Sequence, residues 1–150
     1  MQRCIALLFA AVLLTACRPI DMPPLPTPTP DPYYAYAAAY EEFQAAFNAL
    51  STHLDAGKFD DTEWCDETVH LAIAARKATE KIQGLESPQF GKWPDAWPLI
   101  QEAMGEYHYA AGAAQNAAEQ GNGWLTLPAR ERVMNGTNLL WEANRLLEGD

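Results

Sequence analysis

Residues 31–57 read DPYYAYAAAYEEFQAAFNALSTHLDAG, and this stretch decides the fold. Tyr33, Tyr36, Tyr40, Phe43, Phe47, Leu50 and Leu54 recur at three- and four-residue intervals without a break. Glu41, Gln44, Asn48 and Ser51 take the other side. That spacing draws one apolar stripe along a helix of 3.6 residues per turn, and no period-two alternation competes with it. Asp31 suits an N-cap, with Pro32 at the first helical position. Gly57 can end the helix in a left-handed conformation. The pattern predicts a helix over 32–56 that buries one face.

Three more stretches downstream carry the same period. Over 61–83 the stripe is Trp64, Thr68, Leu71, Ala75, Ala78 and Ile82, widened by Cys65, Val69, Ala72 and Ile73. Asp60 followed by Glu63 suggests a capping box there, and Phe59 with Trp64 a hydrophobic staple. Over 96–120, with Asp95 as cap, the stripe is Trp97, Ile100, Met104, Tyr107, Ala111, Ala114 and Ala118. Over 127–147, with Thr126 as cap, it is Ala129, Val133, Gly136, Leu140, Ala143 and Leu147. Gly136 costs about 1 kcal/mol against Ala in mid-helix, so its presence suggests a close helix neighbour. Similar lengths, short links and one stripe per helix predict an all-α, up-down-up-down antiparallel four-helix bundle over 33–150. A three-helix core with one helix packed elsewhere, or in a dimer, is the alternative. In the bundle the chain entry, the 84–95 loop and the C-terminus share one end. The 57–60 and 121–126 loops share the other, far end.

Upstream the composition changes. Residues 18–32 read RPIDMPPLPTPTPDP, a stretch short of backbone donors and fixed in φ, which predicts a disordered, extended polyproline tether. At about 3.1 Å per residue it can hold a domain roughly 45 Å from its start. Before it, MQRCIALLFAAVLLTAC has one basic residue, Arg3, then an apolar run from Ile5 to Leu14. That run is too short to span a bilayer and fits a secretory leader. Leu14-Thr15-Ala16-Cys17 resembles the lipobox of bacterial lipoproteins. The resemblance implies cleavage before Cys17, a lipid on its thiol, and a place in the cell envelope facing the periplasm or exterior. It divides the chain into a signal peptide (1–16), an acylated Cys and Pro-rich linker (17–32) and a folded domain (33–150). Cys65 then has no partner in the mature chain and is expected as a small apolar residue on a buried face.

The 150 residues carry 10 basic and 20 acidic side chains, a net −10. That excludes a large multidomain enzyme and argues against nucleic acid, because phosphate binding needs a basic face. The chain has no nucleophile elbow, P-loop, dinucleotide fingerprint or H-E-x-x-H motif, so no enzyme and no cofactor is expected.

Four groups remain as candidates. Phe59, Asp60, Asp61 and Trp124 share the far loops, as a patch for a protein partner or as end plugs and helix caps. Glu67, His70 and His108 are the residues a single metal would need, by helix level alone. In ferritin-like bundles E-x-x-H occurs twice, and here the second copy is missing. Phe90 and Trp93 are candidates for a bilayer interface or a second plug. Tyr33, Tyr34, Tyr36 and Tyr40 suit the core or a cavity between helices. The leading expectation is an anchored interaction or scaffold module. The alternative is a carrier or sensor of a metal or small ligand.

Overall fold

The computed structural model describes residues 31–149. The leader, Cys17 and the tether to residue 30 lie outside the described residues. Four α-helices follow in order: α1 Pro32–Leu54, α2 Thr62–Gln83, α3 Trp93–Glu119 and α4 Leu127–Glu148, with a 3-10 turn at Gly123–Thr126 before the last. At 22 to 27 residues each they run roughly 33 to 41 Å. The fold is an all-α four-helix bundle, with no strand among the described residues.

The caps show where local sequence governs. Asp31 caps α1 as expected, accepting from the Tyr33 N–H at 2.9 Å. The cap of α2 is Asp61 rather than Asp60, accepting from Trp64 N–H at 3.2 Å. The Asp61 N–H donates to Lys58 O at 3.0 Å, so Asp60 is spent inside a turn. Helix α3 starts at Trp93, ahead of Asp95, and Lys92 at its cap position makes no side-chain cap bond. Burial of Trp93 draws the extra turn into the fold. Thr126 stands at the cap of α4, but its hydroxyl donates to Gly123 O at 2.7 Å and closes the 3-10 turn instead.

Neighbouring helices touch in antiparallel register. Lys81 meets Glu42, Gln101 meets the Ile82 carbonyl, and Arg132 meets Glu106. The α2–α3 seam is built on Ala72, Ala75, Ala111 and Ala114, whose small side chains let backbones approach. In the α3–α4 seam Gly136 plays that part against Tyr107. Helix α1 contributes large rings instead. Phe43 and Phe47 each hold the Tyr107 ring at 4.9 Å, edge to face, across the middle of the bundle. Those rings hold α1 away, and no α1 Cα lies within 8 Å of one in α4. The bundle therefore stays parted along the α1–α4 side.

Candidate functional site

The far-end group divides in two. Phe59 is half-buried, edge-on to Trp64 at 4.7 Å, and packed on Gly123, where a Cβ would stand 2.8 Å from its ring. It is a plug, and Asp61 is a helix cap. Asp60 and Trp124 face solvent. Trp124 is 78 % exposed while its N–H donates to Asn122 Oδ1 at 3.1 Å, so the local turn fixes the backbone and leaves the ring outside. His53 lies flat on Trp64 at 4.8 Å and donates to the Trp64 carbonyl at 3.1 Å. Cys65 is buried as expected, 3.6 Å from the Phe59 carbonyl. Burial pushes its thiol above the ordinary range, and the carboxylates of Asp61, Asp66 and Asp60 push the same way.

Trp124 opens a row that the sequence reading did not pick out. Leu127 is 53 % exposed, Met134 66 % and Trp141 69 %. They stand seven residues apart, on one side of α4 and nearly opposite its buried stripe of Ala129, Gly136, Leu140 and Ala143. From Leu127 to Trp141 the row runs about 21 Å. The signal was available as three large apolar residues at a strict interval of seven, outside the core stripe. Exposed Glu131 and Asn138 stand between them, so the row is a set of large apolar side chains spaced two turns apart along one side of α4.

The near end carries the second feature. Tyr36 and Tyr40 stack at 5.6 Å with 23° between their planes. The edge of Trp93 meets Tyr36 at 5.0 Å, and Trp97 does so at 5.8 Å. Tyr36, Tyr40 and Trp93, together with Tyr33, Gln44 and Leu147, line an open groove of about 830 Å³ where α1 stands apart from α4. Tyr33, assigned to the core or to a cavity between helices, is exposed at the groove's mouth. Trp93 is buried as a plug, whereas Phe90 stays exposed. Burial raises the Tyr36 phenol well above its ordinary range, helped by Tyr40. Burial likewise raises Tyr40, with a further push from Tyr107 and a hydrogen bond to Gln44 opposing it.

Glu67, His70 and His108 are not brought together. Glu67 and His70 are exposed. His108 faces Arg76 and Thr79 on α2, so it lies about 9 to 14 Å further along that helix than His70. Packing across the seam sets His108 about two turns away from the level that counting from the loop ends gives it. His108 Nε2 instead accepts from Arg76 Nε at 3.4 Å, and its Nδ1 lies 3.2 Å from the Thr79 hydroxyl. Arg76 also donates to Gln115 Oε1 at 3.2 Å. Among the described residues no three His, Cys, Asp or Glu side chains are grouped to hold a metal ion. Among them, too, no helix is long and apolar enough to cross a membrane.

No protein-family model, curated protein or solved structure matches the chain.

Proposed function

We propose that the chain is a lipoprotein of the bacterial cell envelope, anchored through a lipid on Cys17, whose helical domain is a protein-interaction or scaffold module. The lipobox-like Leu14-Thr15-Ala16-Cys17 supports the anchor. The observation that carries the module is the row of Leu127, Met134 and Trp141 on the outer side of α4, with Trp124 exposed in the 3-10 turn before it. A partner offering an apolar helix face or groove of similar length would bury it, with the two Trp side chains as anchors. Acidity elsewhere on the chain disfavours nucleic acid and leaves a protein as the matching class. The metal-carrier alternative loses its support, since its ligand set is dispersed.

Site-specific photo-crosslinking in the anchored full chain tests this reading. A crosslinker at position 134 should give a discrete protein adduct, and one at Glu67 should not. Leu127→Ser with Trp141→Ala should abolish the adduct while the domain keeps its melting temperature. Equal adducts at both positions, or none at 134, would overturn the assignment. The anchor has its own test: Cys17→Ser should remove the lipid label and release the chain from the membrane fraction.

A further inference from the structure

We infer that the aromatic groove at the near end is the docking site for the chain's own proline-rich segment, Pro23 to Pro30. This assignment does not depend on whether Cys17 is acylated.

The chemistry of the lining fits an extended proline helix. Polyproline II has no internal hydrogen bonds, so it offers apolar ring faces together with free carbonyls. Grooves that bind it are lined with aromatic rings and edged with donors. Here Tyr36 and Tyr40 make a two-ring shelf, Trp93 closes its end, and Gln44 and Lys92 supply donors at the rim. Only Lys92 is cationic among the lining residues, against the carboxylates of Glu41 and Glu148, so an anionic ligand is a poor match. The segment Pro23–Pro30 reads PPLPTPTP and carries no charge, so its docking desolvates none.

The geometry places the segment there. It ends at residue 30, the helix begins at Pro32, and the groove begins at Tyr33. The α1 wall from Tyr33 to Gln44 rises about 17 Å. Pro23 to Pro30 extends about 25 Å as polyproline II. A reversal at Thr29–Asp31 would lay Pro23, about 19 Å beyond it, level with Gln44. Covalent attachment keeps the segment near its site at roughly millimolar effective concentration, so a weak site is filled. Docking withdraws about 25 Å from a tether of roughly 45 Å and brings the domain toward its anchor point.

Disulfide trapping in the full chain decides it. Pro23→Cys paired with Gln44→Cys should close an intramolecular bridge at least fivefold faster than Pro23→Cys paired with Glu42→Cys. Glu42 lies at nearly the same height on the opposite side of α1, and single-cysteine variants set the background for the native thiols. The preference should vanish when Pro24→Ser, Pro26→Ser and Pro28→Ser are added, changes that lie outside the folded helices. It should also vanish with Tyr40→Ala. Equal closing rates at the two positions, a preference that survives the proline changes, or bridges formed between chains would each overturn the assignment.

Discussion

Gly136 lies so close to the ring of Tyr107 that a Cβ there would stand 2.8 Å from the ring carbon Cε2 and 3.2 Å from the Ala103 carbonyl. The contact sets the spacing of α3 and α4, and the Tyr107 hydroxyl pairs with Thr137 Oγ1 at 2.8 Å one residue on. Gly136→Ala should therefore destabilise the domain. The change gains about 1 kcal/mol of helix propensity but forces an overpacking that costs about 1 to 3 kcal/mol. Urea unfolding should show a net loss of about 1 kcal/mol, and a gain in stability would contradict the close approach.

Arg76 is held by His108 and Gln115 between α2 and α3, whereas His70 stands in solvent. Arg76→Ala should cost about 1 to 2 kcal/mol in lost and orphaned hydrogen bonds. His70→Ala should stay within about 0.5 kcal/mol of the native chain. Calorimetry with Zn²⁺ should give the same weak heats for the native chain and for His70→Ala, His108→Ala. A clear loss of affinity in that variant would restore the metal reading.

The domain should lose stability in alkali. Tyr36, Tyr40 and Cys65 all hold their protons more tightly in the folded state, mainly because burial penalises the charged form. A raised folded value means that stability is complete below the ordinary values, 9.0 for Cys and 10.0 for Tyr, and falls as pH climbs through the higher folded ones. Thermal melts should be level up to about pH 9 from these groups and decline above it. Tyr36→Phe with Tyr40→Phe should flatten that decline.

The row on α4 should be dispensable for folding. Met134→Ser and Trp141→Ser should each change stability by no more than about 0.5 kcal/mol, because the native side chains already face water. Phe43→Ala, at a ring that is buried against Tyr107, should cost about 3 to 5 kcal/mol. Comparable losses at Trp141 and Phe43 in denaturant titrations would show that the row belongs to the core.

Much of the bundle is legible along the chain because its causes are local. The period of Tyr36, Tyr40, Phe43, Phe47 and Leu50 requires a helix with one inward side, whatever it packs against. Asp31 caps from its own position, and Gly121 follows the cap of α3 at φ of 58°, whereas α1 stops at Leu54, two residues short of the expected end, and Gly57 takes its φ of 60° in the turn beyond. The one-residue error at Asp60 and the missed turn before Asp95 arise where a loop or a buried Trp93 outweighs capping preference.

Sequence alone determined the helices, their buried stripes and the demand of Gly136 for a close neighbour. Only tertiary structure decided which sides of the bundle close. Ala72, Ala75, Ala111 and Ala114 let α2 and α3 meet, while Phe43 and Phe47 fill the centre against Tyr107 and keep α1 from α4. The groove at Tyr36 and Trp93 is the consequence. Register is non-local in the same way: side-chain sizes across a seam, not distances from the loop, set His108 against Arg76 and away from His70. The outer row on α4 follows from that closure too, since a residue is exposed only once every neighbour has been placed.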